Sequence, residues 1–129
     1  MTGKAPTEAQ EQAELVGWYD ATYRCERTRH RLFMIPNGTH LAGGPRQRAA
    51  QASRLKAQGQ RNGAPDLMLP IAIGGHHGLF IEMKRRKGGR VSSAQDRRLQ
   101  MHRDDGYRAE VCNGADEAKQ VIAEYLAGL

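Results

Sequence analysis

The chain has 129 residues, with 20 Lys and Arg against 14 Asp and Glu for a formal charge of +6, and it is 39% hydrophobic and 26% charged. That length and balance predict one domain over residues 1–129 around one modest core, and they disfavour both wholesale disorder and a disulfide scaffold. Cys25 and Cys112, with no charged-then-apolar leader before them, predict reduced thiols in a cytoplasmic protein, and no apolar run approaches the roughly 18 residues of a membrane span.

Residues 1–6 are expected to be a flexible N-terminus. Pro6 and Thr7 then precede a helix from Glu8 to Tyr23, in which Leu15, Trp18 and Tyr19 recur at helical spacing and the Thr22 methyl extends their face. Leu32-Phe33-Met34-Ile35 reads as a strand running into a turn at Pro36-Asn37-Gly38. The Arg- and Ala-rich stretch from Pro45 to Lys56 predicts a second helix, with Pro45 in its first turn and Gly59 beyond its end. Its apolar face is thin, which suits a surface position or a contact with another subunit.

Asp66 to Ile73 is apolar and contains Pro70, as an edge or bent strand can. The loop Gly74-Gly75-His76-His77-Gly78 joins it to a strand over Leu79 to Lys84, making a hairpin. Ser92 and Gln95 have capping-box spacing and start a third helix that runs to about Arg103 and is ended by Gly106. Tyr107 to Cys112 alternates as a strand, and Ala118, Val121, Ile122, Tyr125 and Leu126 form a helical apolar stripe. The expected order is helix, strand, helix, strand, strand, helix, strand, helix.

Charge is segregated along this order. Residues 24–61 hold nine Lys and Arg against Glu26 alone, and Lys84, Arg85, Arg86, Lys87 and Arg90 form a second block. Fifteen of the 20 cations are Arg, whose planar fork matches phosphate oxygens in pairs. Arg85, Arg86, Lys87 and Arg90 are therefore read as contacts to a nucleic-acid backbone, which position a strand without specifying its sequence. Asn37-Gly38 is first a turn, with phosphate contact through its amides as the second reading.

Strand geometry brings three chemical groups together. Side chains two apart in a strand share a face, so Glu82 and Lys84 point one way while Ile81 and Met83 point into the core. If Asp66 projects to the same side, two hard carboxylates converge where Mg²⁺ binds, helped by the Met83 carbonyl and water. Lys84 then orients the attacking water or stabilises charge growing on the phosphate. The competing reading is an exposed Glu82–Lys84 pair with Asp66 capping a turn after Pro65. His76 and His77 lack partners at zinc spacing and are taken as hairpin-tip residues.

Gly63-Ala64-Pro65-Asp66-Leu67-Met68-Leu69-Pro70, then Gly78 to Lys84, Ser92 to Gln95 and Gly106-Tyr107 together resemble the virus-type replication-repair nuclease (VRR-NUC) domains of the PD-(D/E)xK superfamily. Glu8, Gln12 and Trp18 look like the family's first-helix pattern, and Ile35 to Gly38 and Arg54 to Gly59 like its next landmarks. The resemblance covers about residues 7 to 127. It implies an α/β, restriction-endonuclease-like core: a mixed central β-sheet flanked by α-helices. By position it makes Asp66 and Glu82 the metal-binding carboxylates, Lys84 the catalytic lysine, Glu8 a further acid near the metal and Gln95 the active-site glutamine, with Arg54 and Lys56 added to the nucleic-acid contacts.

The activity implied is Mg²⁺- or Mn²⁺-dependent cleavage of DNA. No base-reading motif is evident and aromatic content is 5%, so selectivity by shape is expected, as in a phage-type Holliday-junction resolvase acting as a homodimer on four-way junctions. Alternatives are a non-catalytic nucleic-acid-binding module, or a nuclease for flaps or nicks. Ser93 departs from the proline many relatives carry, a change compatible with a helix start.

Overall fold

The computed structural model describes residues 4–36 and 41–129, so the expectations for Asn37 and Gly38 lie outside the described residues. Eight elements follow the expected order: α1 (Glu8–Thr22), β1 (Phe33–Met34), α2 (Pro45–Ala57), β2 (Leu67–Leu69), β3 (Leu79–Lys84), α3 (Ser93–Asp104), β4 (Arg108–Asn113) and α4 (Ala115–Leu126). The strands form one mixed sheet in the order β1-β2-β3-β4. β1 to β3 are antiparallel neighbours, with Met68 opposite Phe80, and β3 and β4 run parallel, with Glu82 opposite Val111. Because α3 lies between β3 and β4 in the chain, it supplies the crossover that a parallel pair requires.

Local signals explain where the helices begin. The Thr7 hydroxyl accepts from the Gln10 amide while the Gln10 side chain accepts from the Thr7 amide, and Ser92 and Gln95 repeat this reciprocal cap at α3. Pro45 opens α2, where its missing N–H costs nothing. α2 buries none of its residues, as its thin apolar stripe predicted.

Leu15 and Tyr19 of α1 and Ala118, Ile122, Tyr125 and Leu126 of α4 pack on one face of the sheet against Leu67, Leu69, Ile81 and Met83. Phe80, Leu99 and Ala109 form a smaller cluster under α3 on the other face, where His102 stacks on Phe80 with ring centroids 3.9 Å apart. All six residues of β3 are therefore buried, with helices on both faces. The basic connection after α1 is a built turn: Tyr19 donates its hydroxyl to the Thr28 carbonyl at 2.6 Å, and the amides of Thr28 and Arg29 both donate to the Cys25 carbonyl. No helix among the described residues is long and apolar enough to cross a membrane.

Candidate active site

Asp66 stands immediately before β2, and its carboxylate Oδ2 accepts from the backbone amide of Met83 at 2.7 Å. This bond pins it across the hairpin to the strand that carries Glu82 and Lys84. Those two side chains project from β3 toward α3, on the face opposite Ile81 and Met83, as strand alternation requires. They do not emerge into solvent as the competing sequence reading has it: Glu82 is 2% exposed and Lys84 7%.

Gln95 ties the group together. Its Nε2 donates to Glu82 Oε2 at 2.9 Å, while its Oε1 accepts from Lys84 Nζ at 3.0 Å and from the Ser92 amide at 2.9 Å. Lys84 Nζ also lies 3.2 Å from Glu82 Oε2. One side chain thus completes the α3 cap and orients both a carboxylate and an ammonium, so the structural and the active-site roles expected of Gln95 coexist. No buried side-chain nitrogen or oxygen among the described residues lacks a partner.

Two glycines make this arrangement possible. Gly63 has φ +81°, and a Cβ there would lie 2.7 Å from the carbonyl carbon and oxygen of Ala94 and 2.9 Å from the Gln95 nitrogen. The strand leading to Asp66 therefore passes backbone against backbone over the start of α3. Gly114, with φ +94°, gives the same clearance to Glu11 and Arg86 at the start of α4.

The electrostatics are those of crowded anions. Burial pushes the Asp66 carboxyl up, against the pull of the Met83 amide, with the negative charge of Glu8 adding to the push. Burial also raises Glu82, the neighbouring Asp66 charge raises it further, and Lys84 opposes both. Each carboxyl's charge raises the other's cost of ionising, so a proton or a cation between them relieves their repulsion. Their hard oxygen donors fit Mg²⁺, which is usually held by one or two carboxylates and keeps several waters. Among the described residues no three His, Cys, Asp or Glu side chains converge as a closed metal cage would need.

A cleft of about 660 Å³ opens over these groups. Glu8, Asp66, Glu82 and Gln95 line it together with Lys56 of α2 and with Gln60, Arg61 and Asn62 of the α2–β2 connection. Glu8 and Lys56 are thus brought to the site. Arg61 is anchored by its own Nη1, which donates to the Lys56 carbonyl at 3.1 Å. Sequence reasoning missed Gln60, Arg61 and Asn62; their signal was a polar, Gly-bounded segment just ahead of the acidic residue.

Two expected nucleic-acid contacts have other positions. Arg54 lines a separate small pocket on α2 with Leu41, Gln51, Leu55 and Gln58, because it lies on a different helix face from Lys56. Arg86 has its fork engaged: Nε and Nη2 donate to the two oxygens of Glu11 at 2.8 and 2.9 Å, and Glu11 also accepts from the Ala115 amide at 3.1 Å. Glu11 is 1% exposed and falls on the same helical stripe as Leu15 and Tyr19. A charge on an apolar stripe was the signal for a buried partner. Arg85, Lys87 and Arg90 are exposed on the segment joining β3 to α3.

His76 and His77 sit exposed at the hairpin tip, with His77 in edge contact with Tyr107. Cys112 is buried, which pushes its thiol up to about 12, and both cysteines are free.

The family model that matches the chain is that of the VRR-NUC domain, over residues 7–116. A solved structure described as a VRR_NUC domain protein is similar, with a TM-score of 0.79 and 28% sequence identity, and the alignment covers 97% of this chain and 92% of that one. Among curated proteins none matches the sequence.

Proposed function

The chain belongs to the VRR-NUC domain family, nucleases of the PD-(D/E)xK type, and we propose that it is a metal-dependent, structure-selective DNA endonuclease, of the Holliday-junction resolvase kind found in phage and prophage. The observation that carries this reading is the joining of Glu82, Lys84 and Gln95 by hydrogen bonds and an ion pair, with Asp66 pinned beside them by the Met83 amide, at a cleft that Lys56 and Arg61 also line.

Asp66, Glu82 and the Met83 carbonyl would hold Mg²⁺ or Mn²⁺, with Glu8 as a further acid at the cleft. The ion would neutralise phosphate charge and lower the pKa of water beside it. Asp66 is held ready by the Met83 amide, so its position does not depend on the substrate. Gln95 keeps Glu82 and Lys84 in register, which preorganises the site. The Lys84 ammonium, buried and held by acceptors from two elements, would donate to the attacking water or to a phosphate oxygen whose charge grows during cleavage. Lys56 and Arg61 line the same cleft and would oppose the repulsion that the acids alone would exert on a polyanion.

Structure selectivity is supported by the sequence, which carries no base-reading motif and has cations suited to backbone contacts that do not specify sequence. A homodimer is the expected assembly, because paired incision across a junction needs two sites related by a twofold axis. The edge strand β1 exposes Phe33 and Met34, 46% and 58% accessible, and the adjoining connection leads to the unburied α2.

The test is a panel of four-way junction, flap, nicked duplex, intact duplex and RNA, each with Mg²⁺ or Mn²⁺ and with EDTA, alongside Glu82→Ala and Lys84→Ala. Junction cleavage that needs the ion and both side chains is the expected result. Cleavage surviving both substitutions overturns the assigned site, and binding without cleavage under any divalent ion favours a binding module. A preference for flaps or nicks moves the substrate while leaving the chemistry in place.

A further inference from the structure

The turn that follows α1 carries a charge the cleft does not use. Residues 24–31 include Arg24, Arg27, Arg29 and Arg31 against Glu26 alone. The turn is rigidly built: Thr28 is 3% exposed, its hydroxyl donates to the Cys25 carbonyl at 3.3 Å, and its own carbonyl accepts from Tyr19. His30 takes φ +57°, a conformation uncommon for a residue other than glycine. Arg24, Arg29 and His30, with Asp20 of α1, line a depression of about 180 Å³. Among the described residues these three side chains make no ion pair or side-chain hydrogen bond, whereas Arg86, Arg108 and Lys119 elsewhere on the surface are paired. Two guanidinium groups and an imidazole line the depression, with Asp20 as its one carboxylate.

We propose that Arg24, Arg29 and His30 form a second phosphate-binding site, which holds the backbone of a nucleic acid at a distance from the cleft. The guanidinium forks supply paired donors for the non-bridging oxygens, and the fixed turn spares the ordering cost that flexible arginines would incur. α1 sets the spacing. It runs from Glu8 at the cleft to the start of the turn, and at 1.5 Å per residue this places the two sites about 24 Å apart. On duplex DNA, with a rise of 3.4 Å per base pair, that is about seven base pairs. The proposal rests on the nuclease reading above but concerns binding, so the two fail separately.

The experiment measures binding in EDTA by fluorescence anisotropy, across a salt series, with a 20-base-pair duplex arm and with a hairpin of five base pairs. Arg24→Gln with Arg29→Gln is compared with wild type, and with Lys119→Gln as a charge-loss control whose ammonium is already paired. The double variant is expected to bind the long duplex about tenfold more weakly, with a salt slope shallower by about 1, and to bind the short hairpin as wild type does. Its thermal unfolding should match wild type, since both side chains are exposed. An unchanged slope on the long duplex overturns the proposal, as does an equal loss on the short hairpin. Tighter binding of a phosphorylated peptide than of the duplex would assign the turn to a protein partner instead and also overturn it. A wild type that binds no nucleic acid in EDTA overturns this site, while the cleavage panel above decides the nuclease reading by itself.

Discussion

Replacing Glu11 with alanine removes three hydrogen bonds that join α1 to the end of β3 and to the start of α4. The Ala115 amide is left buried without its acceptor, at a cost of about 1–3 kcal/mol. Arg86, whose side chain is 44% accessible, turns into water and loses about 1 kcal/mol, less than the ~3–5 kcal/mol of a fully buried broken pair. The total is about 3 kcal/mol, which for a domain of this size lowers Tm by about 9–15 °C. Thermal unfolding in EDTA at neutral pH measures it. Lys119→Ala is the comparison: its partners Glu14 and Asp116 are exposed, so it should cost under about 1 kcal/mol. A Glu11→Ala loss no larger than that of Lys119→Ala would refute the reasoning. The pH dependence has a definite sign. Hydrogen bonds from Arg86 hold Glu11 at about 2 against an ordinary value of 4.5. A depressed carboxyl stabilises the fold fully above 4.5 and loses that contribution as the pH falls through 2. The gap between wild type and Glu11→Gln should therefore be widest at neutral pH and close in acid.

Gln95→Leu should lower kcat about 10²–10³-fold, since Glu82 and Lys84 both lose their orienting partner, and cost about 1 kcal/mol through the α3 cap; single-turnover cleavage and melting separate the two effects. Gly63→Ala, strained by its φ and facing the Ala94 backbone at 2.7 Å, is expected to destabilise by about 1–3 kcal/mol and to reduce cleavage by displacing Gln95. Glu82→Gln relieves the repulsion between the buried Glu82 and the half-buried Asp66, so in EDTA it should melt above wild type while cleaving nothing. Added Mg²⁺ should raise the wild-type Tm and leave Glu82→Gln nearly unchanged, a result isothermal titration can confirm.

Much of the candidate site was legible because its signals are local. Ser92 and Gln95 show the cap of α3 in four residues, and that same spacing puts the Gln95 amide over β3. The alternation of Ile81, Glu82, Met83 and Lys84 assigns the carboxylate and ammonium to one face of a strand. Alternation could not show that α3 covers this face, and so could not decide between an exposed ion pair and a buried, oriented one. The position of Arg54 has the same origin: net charge reveals that α2 is basic, but which of its cations line the cleft depends on how the helix is docked.

The sequence by itself determined the order of all eight elements, since caps, breakers and apolar periods act within a few residues of one another. It also placed Glu82 and Lys84 on one face of a strand, with Asp66 at the start of the hairpin strand beside it. The tertiary structure alone decided the pairing of Glu11 with Arg86, 75 residues apart, and the gathering of Gln60, Arg61 and Asn62 into the same cleft as the acids. Such contacts join segments whose local preferences carry no information about each other. They are selected only when the sheet assembles and buried charges must find partners or remain uncompensated.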